Sequence, residues 1–220
     1  MEDSYYRIIR SNRKSMSMII DHEAKLTVRA PLETSDKDIA DFVYEKRQWI
    51  RTKQHQVSVF EEKHSPVKFE NGETILFLGN SYTILKKQVD NIEIDGTYIV
   101  FPESNTIDSL INWYKHNATN IFIERIEKYD QVMGVKYTTV KLSDAKSRWG
   151  SCSSNNGLNL SWRLILCPLA VIDYVVVHEL SHITYKNHSS SFWARVKTML
   201  PNYIEHQDWL KVNRKIIQII

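Results

Sequence analysis

Apolar residues alternate with polar ones in short runs through roughly the first half of the chain and then recur every three to four residues, so strands precede helices. Tyr5 to Ile9, Ser15 to Ile20 and Lys25 to Arg29 read as strands, the last running up to Pro31. Asp36 to Gln54 is predicted as one helix. Ser35 stands at its N-cap, Asp36 and Asp38 suit the positive end of the dipole, and Ile39, Phe42, Val43, Trp49 and Ile50 keep helical spacing. After Pro66, short strands are separated by Asn71-Gly72, Gly79-Asn80 and Asp95-Gly96. The period changes at Pro102 to Asn105, which places a boundary between a strand-rich part, residues 1–104, and a helix-rich part, residues 105–220.

In the second part, Ile107 to Val132 is a long amphipathic helix with Gly134 as its C-cap. Val135 to Leu142 alternates as a strand, Ser147 to Gly157 is turn-rich, and Leu158 to Trp162 is a strand expected to pair with the first. Pro168 opens a helix running to about Tyr185. Helices over Ser191 to Leu200, ended by Pro201, and Tyr203 to about Gln218 complete an α+β chain whose helix-rich part carries a short β-sheet.

A content of 42% hydrophobic and 25% charged residues is that of a folded protein and excludes dominant disorder. No apolar run reaches the roughly 20 residues that span a bilayer, and the longest, Val171 to Val177, is interrupted by Asp173. The charged segment Met1 to Arg10 lacks the apolar core of a signal peptide. Two cysteines, Cys152 and Cys167, cannot build a disulfide framework, so the expected setting is cytoplasmic, without membrane attachment. Net charge is +3, too little to argue for nucleic acid, although residues 105–220 carry 14 Lys and Arg against 9 Asp and Glu.

The chemistry concentrates in His178-Glu179-Leu180-Ser181-His182, which fits the zinc-hydrolase pattern H-E-x-x-H. Residues four apart share a helix face, so His178 and His182 can reach one ion, while Glu179 is turned about 100° away and suits a base beside the ion's water. The apolar run before the motif buries the helix, and two imidazoles and a carboxyl are costly to bury without pairing or metal. His188, five residues beyond His182, is placed as third ligand, with Glu205 and His206 as competitors. His22, His55, His64 and His116 are read as surface residues. Three neutral imidazoles leave a dication's charge uncancelled, which acidifies bound water towards a pKa of about 7. One Zn2+ per chain is expected, with another divalent transition metal as the alternative.

Ser147-Arg148-Trp149-Gly150-Ser151-Cys152-Ser153, then Leu158-Asn159-Leu160-Ser161-Trp162-Arg163-Leu164, then Val171 to Val177 leading into the histidine motif, resemble the YgjP-like family of metal-dependent hydrolases. His188-Ser189 followed by Phe192-Trp193 resembles that family's third-ligand segment, and the gap to the third histidine is similar to that of WLM-type and SprT-like metallopeptidases. The likeness covers most of the chain, including Gln48-Trp49-Ile50 and Phe77-Leu78-Gly79, and is strongest from Arg148 to Trp193. It implies zinc and a zincin-like metallopeptidase fold. Some members are described as nucleoside triphosphate pyrophosphatases, with UTP among their suggested substrates.

Three functions are therefore expected in order. The first is a metallopeptidase in which metal-activated water attacks a peptide carbonyl and Glu179 is the general base. The second is a metal-dependent nucleoside triphosphate pyrophosphatase, weakened by the lack of a Walker-type glycine loop. The third is a nucleic-acid-associated protease module, motivated by Arg7, Arg10, Arg13, Lys14, Arg47 and Arg51. Around the metal, Arg148, Gly150, Ser151 and Tyr185 are the candidates for holding substrate or an oxyanion, with Tyr174 competing with Tyr185. Arg148 is equally readable as the ion-pair partner of Asp173. Cys152 reads as a small buried residue rather than a nucleophile, and Trp149, Trp162, Phe192 and Trp193 as core or pocket wall.

Overall fold

The alternating N-terminal runs form strands. The computed structural model describes residues 6–21, 24–63 and 67–218, so Tyr5, His22 and His64 lie outside the described residues. Packing divides the chain into two units, Met1–Ser65 and Pro66–Ile220, and the seam expected at 104/105 falls inside the second.

In the first unit, β1 (Tyr6–Ser11), β2 (Ser17–Ile20) and β3 (Leu26–Pro31) lie in the order β1-β3-β2, with β3 parallel to β1 and antiparallel to β2. Alternate residues of β3, Leu26, Val28 and Ala30, face one side and join Ile39 and Ile50 in a core. The helix expected over Asp36 to Gln54 is two helices, α1 (Asp36–Glu45) and α2 (Arg47–Lys63), separated at Lys46. No proline or glycine marks this break. An unbroken helix from Asp36 to Lys63 would run about 40 Å, against about 20 Å for a six-residue strand. Interrupting it lets Ile39 and Ile50 both pack on the small sheet. Ser35 caps α1 as expected, accepting from the Asp38 amide at 3.1 Å. Trp49, though at helical spacing, is 43% exposed.

In the second unit, β4 (Thr74–Phe77), β5 (Asn80–Lys87), β6 (Glu93–Asp95) and β7 (Tyr98–Pro102) form a sheet ordered β4-β5-β7-β6. Its first turn is bonded to the segment that precedes the histidine-bearing helix. The Leu78 and Gly79 amides donate to the carbonyls of Ile165 and Leu166 at 2.8 and 3.2 Å. Gly79 has φ +78°, and a Cβ there would come within 2.7 Å of Pro168, so the glycine is required twice over.

Helix α3 (Ile107–Met133) ends at Gly134 in the left-handed conformation, as its sequence predicts. Leu110, Tyr114, Ala118, Phe122, Ile126, Tyr129 and Met133 form its buried stripe. A second sheet, ordered β8-β10-β9, follows: β8 (Val140–Ser143), β9 (Gly150–Cys152) and β10 (Leu158–Ser161). Strand β10 is parallel to β8, the expected pairing, and antiparallel to β9, a strand hidden in the turn-rich segment. Residues Trp162–Leu166 make a buried 3-10 turn against α3. Then come α4 (Leu169–Thr184), α5 (Ser190–Met199) and α6 (Tyr203–Val212), the last giving way to a 3-10 turn over Arg214–Gln218. The result is a mixed α+β chain. Among the described residues no helix is long and apolar enough to cross a membrane.

Candidate metal centre

Helix α4 is buried along almost all of its length, and packs against α3, α5, α6 and β9. Its polar residues are therefore costly unless satisfied. Asp173 is satisfied by Arg125, which donates through Nε and Nη2 at 2.5 and 2.6 Å, and by the Tyr129 hydroxyl at 3.0 Å. This bidentate clamp ties α3 to α4, and it replaces the pairing with Arg148 weighed from the sequence. Ser181 donates back to the Val177 carbonyl at 2.7 Å. Glu179 is 6% exposed, and burial pushes its carboxyl up to about 7, with the nearby Arg148 charge pulling the other way.

His178 and His182 lie one turn apart on α4, and the helix ends at Tyr185. His188 sits in the connection just before Ser189, which caps α5 by accepting from the Phe192 amide. One nitrogen from each of the three imidazoles lies within 4.8 Å of the others. The Nε2 atoms of His178 and His188 are 3.0 Å apart. Ligands at about 2.0–2.1 Å on a tetrahedral ion stand roughly 3.3 Å from one another, so the convergence fits a divalent transition metal. Glu205 and His206 are not part of this group.

Two details favour neutral imidazoles in this cluster. The His182 Nδ1 lies 3.0 Å from the Tyr185 carbonyl; that contact makes Nδ1 the donor and turns Nε2 towards the cluster. Burial, then the neighbouring His182 and His188, hold His178 down to about 3, so it does not compete for a proton. The Nδ1 of His178 is buried with no hydrogen-bond partner among the described residues, which leaves its tautomer to be set by what binds Nε2. His55 and His116 are exposed, as expected.

The walls are aromatic. Phe192, fully buried, places its ring centroid 4.6–4.9 Å from all three imidazoles. Trp193 stacks on His188 at 5.5 Å and on Tyr203 at 5.4 Å, while Tyr174 meets His178 at 5.9 Å. The sequence reads Phe192 and Trp193 as core or pocket wall; that one ring lies against all three imidazoles is visible only in the fold.

Strand β9 packs against α4 beside the histidine motif. Among the described residues it pairs with β10 alone and is the edge of its sheet. The Ser161 amide donates to the Trp149 carbonyl and the Ser153 amide to the Gly157 carbonyl. By the alternation of an antiparallel ladder, Ser151 faces Asn159, while the backbone groups of Gly150 and Cys152 point outward from the sheet. A Cβ on Gly150 would lie 2.7 Å from Glu179 Oε1, so the missing side chain makes room for that carboxyl. Arg148 is exposed beside it. Tyr185 contributes its carbonyl, to His182, and its side chain is half-buried. Cys152 is half-buried, and burial raises its thiol, the opposite of an activated nucleophile.

Such a centre is that of a metal-dependent hydrolase. The YgjP-like metallopeptidase domain matches residues 14–213, and the chain belongs to that family. The family implies a divalent metal and a peptidase-type hydrolytic activity. Among solved structures the chain is similar to the metallopeptidase zymogen abylysin of Pyrococcus abyssi, with 22% identity and TM-score 0.38 over 40% of this chain and 90% of that one. It is also similar to the metallopeptidase zymogen jannalysin of Methanocaldococcus jannaschii, with 18% identity and TM-score 0.36 over 44% and 94% respectively. No curated protein matches it.

Proposed function

We propose that this protein is a zinc-dependent peptidase in which His178, His182 and His188 hold the ion and Glu179 is the general base. The observation that carries the reading is the convergence of three imidazole nitrogens within 4.8 Å beside the buried carboxyl of Glu179. Zinc on three neutral imidazoles acidifies a water and polarises a carbonyl oxygen. The chain's own residues supply the rest. Glu179, held against Gly150, accepts a proton at its carboxylate and delivers it to the departing amine. The outward backbone groups of Gly150 and Cys152 offer an extended polypeptide the hydrogen bonds of an added strand. Arg148 and the Tyr185 hydroxyl are the candidates to meet developing negative charge, with the Ser151 side chain as a further contact. All these residues lie within 105–220, which we take as the catalytic part.

The test is a paired panel: unstructured polypeptides and the common nucleoside triphosphates, each with zinc-loaded and chelated protein. Zinc-dependent cleavage of polypeptides with intact nucleotides is the expected result. Zinc-dependent release of pyrophosphate with intact polypeptides would overturn the peptidase reading in favour of the pyrophosphatase.

A further inference from the structure

Beside the metal centre lies a second concavity, with a volume of about 240 Å3. Buried Tyr174 and Leu210 line it, and Lys146, Arg148, Lys211 and Arg214 surround it as exposed cations. Among the described residues no carboxylate lines it. Lys211 is paired with Asp208 at 2.8 Å, whereas Lys146, Arg148 and Arg214 have no ion-pair partner among the described residues. Tyr174 connects the two places, since its ring also meets His178.

The position relative to β9 decides what enters. Arg148 precedes Gly150 by two residues, about 7 Å along an extended chain. A polypeptide laid on the β9 edge therefore passes the cavity within one or two residues of the bond presented to the metal. The volume falls below the roughly 300–1,000 Å3 of sites that enclose small-molecule ligands, and suits one side chain rather than a nucleotide. Lys146 and Arg214, without an ion-pair partner among the described residues, together with Arg148, whose charge also reaches Glu179, surround the apolar side chains of Tyr174 and Leu210 and select an anionic group with a short apolar stem.

We propose that this cavity is a specificity subsite for an aspartate or glutamate side chain of the polypeptide substrate. The inference rests on the peptidase reading for its substrate class. It assigns Lys146 and Arg214 to recognising the carboxylate, with Tyr174 and Leu210 contacting the methylene stem and Arg148 lying between the subsite and the metal centre.

The experiment uses quenched-fluorescence peptides of one sequence frame, carrying Glu, Gln or Lys at each position flanking the cleaved bond. With zinc-loaded protein, kcat/KM for Glu should exceed that for Gln on the order of 10-fold at one flanking position, the size of one charge-assisted hydrogen bond. Arg214→Glu should abolish or invert that ratio, and Lys146→Glu serves as a second variant should the first fail to fold. Binding of the same labelled peptides to the Glu179→Gln protein, followed by fluorescence anisotropy, reads the subsite without turnover. Selective binding of the Glu peptide, lost in the Arg214→Glu background, supports the subsite even if no peptide is cleaved, in which case the peptidase reading alone falls. Cleavage with equal kcat/KM for Glu and Gln at every position overturns the subsite and leaves that reading intact. Equal binding of Glu and Gln peptides, with nucleoside triphosphates binding in an Arg214-dependent manner, also overturns it and assigns the cavity to phosphate.

Discussion

Gly150 and Glu179 touch across the junction of β9 and α4: a Cβ at position 150 would stand 2.7, 2.9 and 3.0 Å from Oε1, Cγ and Cδ of the glutamate. Those distances are too short for a real side chain, and Glu179 is hemmed in by burial. Gly150→Ala must therefore displace the carboxyl. Activity should fall on the order of 100-fold, as expected when a catalytic group is moved by about 1 Å. Metal content should be unchanged, because the three atoms nearest an added Cβ all belong to Glu179 and none to a histidine. Steady-state kinetics beside metal analysis checks both halves.

The clamp between Arg125 and Asp173 is a stability element rather than a catalytic one. Both side chains are about nine-tenths buried, with 12% and 11% exposure. Asp173→Ala leaves a guanidinium buried without its carboxylate, which should cost about 3–5 kcal/mol in chemical denaturation. Replacing Asp173 and Arg125 together by apolar residues should recover much of that loss. An Asp173→Ala protein as stable as the parent would remove the clamp from the account.

Phe192 braces three imidazoles at once. Phe192→Leu keeps an apolar side chain but loses the ring faces against which the ligands lie. Zinc affinity should drop by about 10-fold, the lower end of what losing a supporting contact costs, with the helices retained. Competition with a chromophoric chelator measures it against circular dichroism.

As proposed ligands, the three histidines should differ in effect. His178→Ala and His182→Ala should each strip the ion, whereas His188→Ala, at the exposed side of the cluster, should weaken binding while some is retained. Metal analysis after gel filtration against a weak chelator separates these outcomes. Full occupancy in the His188→Ala protein would transfer the third position to another residue.

What could be read from the sequence was local. Pro168 followed by an apolar run announces α4, and Gly134 announces the end of α3, because each acts on its own neighbourhood. The spacing of His178 and His182 is likewise a property of one helix. The break at Lys46 leaves no local mark, since the length of the sheet beneath it decides where one helix must stop. Strand β9 was lost among turn residues because only its partner β10 makes three residues into a strand. Asp173 and Arg125 are 48 residues apart, and Gly150 meets Glu179 across the sheet-helix junction. Such pairings exist only once tertiary packing has formed, so neither residue's own surroundings in sequence could name its partner.

In the proposed mechanism Glu179 moves the proton while the histidines hold the ion, and Glu179→Gln separates those duties. The amide keeps the size and much of the hydrogen bonding but accepts no proton. On a cleaved polypeptide, zinc-loaded Glu179→Gln protein should retain one metal equivalent and lose turnover on the order of 100-fold or more. Wild-type turnover with the metal in place would contradict the account, because the base would then be some other group.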